Sequence, residues 1–223
     1  HIAENASRTR YDLYHSLTYT SFWWKHTENE IHPFGFVLSP CMGDQLEKIY
    51  NERKNKGLTT VLKGVVDSEM NPGIMEVVEA TLPGETDEIV LLSSHLCHPK
   101  ASANDNASGC AANIEVLRVL KKLIDEGKIK KNRRTIKAIF MPEFTGTYAY
   151  LYDHNDYSKM LGALNLDMVG GNQTRAYGPI TLTLLPDSMP SIVQSLSHMS
   201  LDLAGRETDN LLDEKISFTH YVT

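Results

Sequence analysis

Residues 95–109 read HLCHPKASANDNASG, and this stretch decides how the chain is interpreted. It begins after the apolar run 89–92 and ends where the amphipathic run 110–123 begins. The pattern predicts a loop between a buried strand and a helix, which is where open α/β sheets carry their functional groups. The two imidazoles and the carboxylate of this loop are ligands that zinc prefers.

Beyond this loop the chain alternates strands with helices. Strands are predicted over 74–81, 88–94, 135–141, 161–168 and 180–185, and helices over 107–126, 146–152 and 188–200. A Pro83-Gly84 turn joins the first two strands, which we expect to be antiparallel. The other strands are separated by helices, which favours parallel pairing. The fold class is therefore α/β, with a mixed, mainly parallel sheet sandwiched by helices.

Residues 1–70 have a different pattern. A short strand bounded by prolines is predicted over 33–40, and another strand over 59–66. Between them, residues 43–56 place apolar side chains on one face and charges on the other, which is typical of an amphipathic helix. We expect residues 1–70 to form part of a small α+β domain beside the main one.

Composition excludes several classes of function. The chain has 22 Lys and Arg against 28 Asp and Glu, a net charge of −6, which argues against a nucleic-acid surface. Its longest basic run, 128–131, is typical of a solvated turn. No apolar stretch approaches the roughly 18 residues of a membrane span. Three cysteines, an odd number, favour a reducing compartment, so we expect a cytoplasmic protein.

Acidic and imidazole side chains follow three of the predicted strands. His95 follows the second strand and Asp105 opens the next helix, while Glu143 and Asp167 follow two later strands. Because the carboxyl ends of parallel strands meet at one edge, we expect these side chains to converge. His95, Asp105 and Asp167 could hold zinc, and a free carboxylate, Glu143, could take a proton from water.

Each of these residues also has a simpler interpretation. Asp105 could cap the following helix, and Glu143 could be an ordinary acid at a helix start. Asp167 could make a structural hydrogen bond, because a carboxylate at a buried strand end needs a partner. His98 could be a loop histidine bonded to backbone. The metal-site hypothesis therefore depends on the joint placement of these residues.

The order of these segments resembles the zinc aminopeptidase family, which includes bacterial leucyl aminopeptidases and is related to glutaminyl cyclases and the transferrin-receptor ectodomain. The segments that carry the resemblance are HLCHP (95–99), ANDNASG (103–109), PEFTGT (142–147) and NLDMVG (165–170). They look closest to a bacterial aminopeptidase-like branch in which an uncharacterised smaller domain is inserted. Residues 1–70 look like part of that inserted domain.

The resemblance implies a fold, an activity and roles for four residues. His95 and Asp167 would bind one zinc ion, and Asp105 would bridge it to a second. Glu143 would act as general base toward a zinc-activated water. The implied activity is that of a zinc-dependent aminopeptidase, which removes N-terminal residues from peptides with a free N-terminus.

The sequence departs from the family pattern at three places. The second Glu of the family's pair is Phe144, and the Asp that orients the first His is Cys97, which could itself be a soft ligand. The family's last ligand, a His, is not found, although His220 is a candidate substitute. We therefore expect the domain over 71–223 to be truncated at its C-terminus. His98 could supply part of the missing ligand set.

These departures leave the number of zinc ions, one or two, and the reaction open. One alternative is a one-metal amidohydrolase or a cyclase-type acyl transfer on the same scaffold. Another is a non-catalytic binding module with a degenerate site. Assembly into a homo-oligomer is compatible with every one of these.

Overall fold

Two compact units make up the chain, residues 1–70 and residues 71–223. The computed structural model describes residues 2–4, 13–17, 29, 31, 33–69, 71–98, 100–154, 156–172, 180–186, 188–208 and 218–222. Within these residues, the first unit contains a pair of short strands and an α-helix, and the second contains the larger sheet, a second pair of strands and three α-helices.

In the first unit, β1 (Ile2–Glu4) pairs in parallel with β2 (Phe36–Leu38), and α1 (Pro40–Asn55) follows. The helix begins three residues before the predicted start of 43. The Ser39 hydroxyl accepts the backbone N–H of Met42 at 3.3 Å, and proline fits the first helical position because it needs no N–H partner there.

The strand predicted over 59–66 is wrong, because the structure has no strand there. Alternating apolar residues predict a strand only when one face is covered. Here Val61 is 83% exposed and Val65, on the same face, is 73% exposed. Without a strand to pair with among the described residues, this segment does not form a strand.

The second unit begins with β3 and ends with β8. In chain order its elements are β3 (Val78–Leu82), β4 (Thr86–His95), α2 (Gly109–Asp125), β5 (Arg134–Met141), α3 (Thr145–Asp153), β6 (Met160–Asn165), β7 (Ile180–Leu184), α4 (Ile192–Thr208) and β8 (Phe218–Val222). The last predicted helix starts four residues late, at Ile192. The Ser191 hydroxyl accepts the N–H of Val193 at 3.2 Å, so Pro190 lies before the helix and not in its first turn.

The main sheet has the order β3-β5-β4-β6 and confirms the predicted α/β class. β5 and β6 both run parallel to β4, whereas β3 runs antiparallel to β5. The predicted antiparallel relation of β3 and β4 holds in direction only. The two strands are not neighbours, because β5 lies between them. Separately, β7 pairs in parallel with β8, a strand that the sequence did not predict.

Helices pack on both faces of this sheet because alternate strand residues point to opposite sides. On one face Leu91, Ile139 and Met141 pack against Tyr150 of α3. On the other face, Leu92, Ala138 and Phe140 pack against α2 through its residue Cys110. Each fully buried large apolar side chain contributes about 1.5–3 kcal/mol to the free energy of folding. These two clusters therefore stabilise the ends of β4 and β5, beside the site.

A buried lysine on β5 joins the sheet to α3. Lys137 is 9% exposed, and its Nζ lies 3.1 Å from a Glu79 oxygen and 3.7 Å from an Asp156 oxygen. The Tyr150 hydroxyl donates to the same Glu79 oxygen at 2.7 Å. Burial and the bond to Glu79 raise the pKa of Tyr150 to about 12. Burial opposes ionisation of Glu79, but bonds from Tyr150 and Lys137 hold the pKa of Glu79 below its usual value.

Glu79→Gln is expected to destabilise the chain at neutral pH by about 1 kcal/mol, since Gln keeps an acceptor for Tyr150 and loses the charge facing Lys137. A carboxylate whose pKa is lowered by folding stabilises above its unfolded pKa, and this contribution is lost as pH falls through the folded pKa. Urea unfolding should therefore show a gap between wild type and variant at pH 7 that closes in acid. The exposed pair Asp87–Lys159 supplies the control, Asp87→Asn, for which we expect a smaller gap. A gap that persists in acid would contradict the role of the Glu79 charge.

Surface features bear on the excluded classes of function. None of the helices in the described part of the chain is long and apolar enough to cross a membrane. The basic run 128–131 forms an exposed turn between α2 and β5, as predicted. Cys41, Cys97 and Cys110 are free thiols.

Candidate metal centre

One imidazole and two carboxylates meet at the carboxyl edge of the main sheet. His95 is the last residue of β4, and Asp167 follows the end of β6 by two residues. Because β4 and β6 are parallel neighbours, these two ends share an edge. Asp105 reaches the same place from the turn between β4 and α2. The fold thus brings together three of the residues that the sequence predicts as ligands.

The three side chains are close enough to share one metal ion. His95 Nε2 lies 3.0 Å from Asp105 Oδ1 and 3.6 Å from Asp167 Oδ2. One donor atom from each side chain lies within 4.8 Å of the other two. Imidazole nitrogen and carboxylate oxygen are donors that zinc and similar divalent ions accept. This donor set therefore fits a metal ion.

The ring of His95 is fixed in a ligand-like orientation. Its Nδ1 lies 3.1 Å from the carbonyl oxygen of Cys97, so Nδ1–H donates there and Nε2 faces the two carboxylates. Metal-binding histidines usually have their second nitrogen held in this way. His95 is only 5% exposed, and the Cys110 thiol donates to its carbonyl oxygen at 3.3 Å. The backbone carbonyl of Cys97 thus orients His95, a role that the resemblance assigns to an Asp side chain at this position.

The electrostatics of the group favour a cation. Burial is the main cause that raises the pKa of the Asp167 carboxyl above its usual value. Interaction with His95 lowers this pKa, whereas the nearby carboxylate of Asp105 raises it. Two carboxylates held together repel each other, and a cation between them would offset that repulsion.

The turn that carries Asp105 departs from helical geometry at two residues. The regular helix that follows begins two residues after its predicted start of 107. Over Ala103–Ser108 the backbone of Asp105 (φ −110°, ψ 95°) and of Asn106 (φ −130°, ψ 35°) leaves the helical region, and regular helix begins at Gly109. The peptide bond between Asp105 and Asn106 is cis. The two Asp105 oxygens face His95 and His98, so the side chain does not cap α2.

Asn106, which sequence reasoning missed, fastens this turn to the segment that carries Asp167. Its Oδ1 accepts the N–H groups of Gly109 and Met168, each at 3.2 Å. Its Nδ2 donates to the carbonyl oxygen of Leu166 at 3.0 Å. Asn106 is 4% exposed, so water does not compete for these bonds.

A second asparagine and a glycine also contribute to the contact between the Asp105 turn and the segment that carries Asp167. Asn104 Oδ1 accepts the N–H of Gly170 at 3.0 Å. A Cβ on Gly109 would lie 2.1 Å from the Leu166 carbonyl oxygen, so glycine permits this close approach. The signal in the sequence was the Asn-Asp-Asn-Ala-Ser-Gly pattern itself, since amides flank the metal-binding carboxylate.

Glu143 lies at the same edge but is not a member of the three-residue group. It follows β5, the other neighbour of β4, and its backbone N–H donates to Cys97 Sγ at 2.9 Å. It precedes α3, which begins at Thr145, and therefore lies outside the first helical turn. The thiol of Cys97 accepts this bond and is not grouped with the three metal donors. Phe144 has φ 51° and is 50% exposed.

His98 contacts the group through Asp105. Its Nε2 lies 3.2 Å from Asp105 Oδ2, so the side chain is not simply bonded to backbone. A cavity of about 560 Å³ opens here, lined by the loop that follows β4 and by the start of α2. His95, His98 and Asp105 all lie on its wall. Pockets of a few hundred Å³ hold small ligands, so the cavity gives a ligand access to the group.

The other proposed substitute ligand, His220, lies in β8, where only the backbone is described. Its side chain is outside the described residues, so its role as a ligand stays a prediction.

Comparison with known proteins assigns the chain to a family. Residues 56–181, more than half of the chain, match a family described as "Domain of unknown function (DUF4910)". The chain belongs to this family. The matched segment contains His95, Asp105, Glu143 and Asp167, together with their connecting turns.

A protein of Clostridium acetobutylicum is similar to part of the chain. It is named as a polysaccharide biosynthesis protein with an aminopeptidase-like domain. The two are 32% identical over 95 residues, which cover 43% of this DUF4910 chain and 20% of the relative. The matched segment therefore spans one fifth of the length of this relative.

Proposed function

We propose that this DUF4910 chain provides the catalytic centre of a zinc-dependent exopeptidase that removes N-terminal residues from peptides. The observation that carries the proposal is the convergence of His95, Asp105 and Asp167 at the carboxyl edge of the sheet. The aminopeptidase-like domain in the name of the Clostridium acetobutylicum protein supports the same class of reaction.

His95 Nε2, Asp105 Oδ1 and Asp167 Oδ2 would hold the zinc ion. When bound, zinc would supply Lewis-acid polarisation of the scissile carbonyl and activation of water. Three protein donors with a position left open is the arrangement expected of a catalytic zinc site. The resemblance to zinc aminopeptidases, carried by the segments around these residues, agrees with this choice.

Glu143 would act as the general base. It follows the strand beside His95, and its backbone is bonded to the Cys97 thiol at this edge. Its carboxylate would take a proton from the attacking water and pass it to the leaving amine. The cavity beside His98 would receive the peptide.

One observation favours a second candidate, a one-metal amidohydrolase or a cyclase-type acyl transferase. Phe144 occupies the position where the resemblance places a second carboxylate ligand, and its side chain cannot coordinate. Such an enzyme would use the same three ligands and Glu143, but it would not require a free amine on its substrate.

The deciding measurement is zinc per chain, by elemental analysis of protein purified without added metal. We expect about one or two zinc ions per chain, lost in His95→Ala and retained in His198→Ala, which changes a half-exposed histidine on α4. Hydrolysis of a free-amine peptide, with an N-blocked peptide left intact, would then support the exopeptidase. Cleavage of the blocked peptide would favour the second candidate. Absence of zinc would contradict both and indicate a binding module.

A further inference from the structure

The two oxygens of Asp105 have different surroundings. Oδ1 lies 3.0 Å from His95 Nε2, inside the group that includes Asp167. Oδ2 lies 3.2 Å from His98 Nε2. Among the described residues, the group of His95, Asp105 and Asp167 is the set of three that could hold a metal, and His98 is not in it.

This difference decides how many metal ions the donors can hold. A catalytic zinc ion takes about three protein donors, and the Oδ1 side of Asp105 offers that number. On the Oδ2 side His98 lies within hydrogen-bond distance, and the described residues form no second group of three donors there. Phe144, where the resemblance expects a carboxylate for a second ion, has no donor atom. From the described residues alone, a second ion would therefore have too few protein ligands.

We propose that His98 is a positioning residue whose Nε2–H donates to Asp105 Oδ2 in place of a second metal ion, so that the centre holds one metal. The inference rests on the proposed metal site and refines it. A carboxylate only accepts hydrogen bonds, so the imidazole is the donor in this contact. Both side chains are mostly buried, with 20% of His98 and 28% of Asp105 exposed.

The hydrogen bond has a defined effect on the ligand. With Oδ2 bonded to His98, Asp105 would have Oδ1 left as its donor for a metal ion. Partners of this kind orient metal ligands, and their loss typically weakens metal binding about 10–100-fold. His98 would therefore act on metal affinity through Asp105, without touching the metal.

The test is a zinc titration of the metal-free chain against a competing chelator, with His98→Gln and His98→Ala beside wild type. Gln keeps an N–H donor for Asp105 but is a poor zinc ligand. We expect one zinc ion per chain in all three, with affinity in His98→Gln within about threefold of wild type and in His98→Ala about 10–100-fold weaker. His198→Gln, on α4, is the matched control and should equal wild type.

Replacing zinc with cobalt(II) gives a second measurement, which reports on the metal ligands and does not require an active enzyme. The visible absorption of bound cobalt depends on its ligands. Since His98 is not a ligand in this proposal, the spectrum of His98→Gln should match that of wild type. The spectrum of Asp167→Asn should differ, because Asp167 is placed among the ligands.

The outcomes separate this inference from the proposed function. Two zinc ions in wild type, falling to one in His98→Gln, would make His98 a ligand and overturn the inference. Wild-type affinity in His98→Ala would overturn its positioning role. Absence of zinc from wild type would contradict the metal site itself. One zinc ion without peptide hydrolysis would contradict the hydrolase and leave the inference standing.

Discussion

Glu143→Gln is expected to lower turnover of a free-amine peptide by about 10²–10⁴-fold, the usual contribution of a general base. Gln has nearly the same shape and keeps a carbonyl oxygen, but it cannot take a proton at neutral pH. Because Glu143 is not grouped with His95, Asp105 and Asp167, zinc content should not change. Initial-rate kinetics together with zinc analysis of the same preparation check both parts.

The control for this substitution is Glu115→Gln. Glu115 lies on the exposed face of α2, where it pairs with Arg118, so its loss should leave turnover and zinc unchanged. Turnover of Glu143→Gln close to that of wild type would remove Glu143 from the mechanism. Loss of zinc together with activity would place Glu143 among the ligands.

The parts of the fold that the sequence predicted are those where local pattern and tertiary packing agree. The apolar, β-branched run of β5 is buried on both faces in the structure, as a central parallel strand requires. α2 has an apolar face, with Leu117 packed toward the sheet, and ends near Gly127, whose φ is +67°. The burial of a central strand and the position where a helix ends are set mainly by residues within those elements.

Other predictions failed because strand pairing is a property of the whole sheet. The Pro83-Gly84 turn suggested a hairpin, but β5 pairs with both β3 and β4 and separates them. Residues 59–66 form no strand, because no other strand pairs with them in the described part of the chain. No local pattern records which strand will lie beside another, so these errors could not be avoided from one sequence.

In the candidate site, too, some contacts could be predicted from the sequence and others depend on the folded chain. The rule that parallel strand ends share an edge was enough to predict that His95 and Asp167 would meet. The rule could not predict that Asn106 would join their segments, because its three partners depend on the exact path of two loops. It also could not predict that His98 would turn toward Asp105, since sequence left that side chain free to bond with backbone.

Asn106 lies outside the ligand set, but its removal should affect both the stability of the chain and the metal centre. In Asn106→Ala the N–H groups of Gly109 and Met168 and the carbonyl of Leu166 all lose their side-chain partner. The bond to Gly109 is buried and the other two are partly buried. A buried polar group left unpaired costs about 1–3 kcal/mol, so with access of water to the other two we expect a total of about 2–4 kcal/mol. Urea unfolding of the metal-free chain measures this loss directly.

The same substitution should weaken zinc binding about 10–100-fold, because Asn106 holds the turn bearing Asp105 against the segment bearing Asp167. The control is Asn132→Ala. Asn132 donates to the carbonyl oxygens of Leu82 and Arg134, at the start of β5, so its loss should reduce stability without changing zinc affinity.

Asn106→Asp sharpens the test. It keeps an acceptor for both N–H groups but sets an oxygen against the carbonyl of Leu166. It should therefore fall between wild type and Asn106→Ala in stability if the acceptor bonds dominate. Wild-type stability and zinc affinity in Asn106→Ala would contradict the role of this side chain. Reduced stability with unchanged zinc affinity would show that the two loops hold the ligands in place without it.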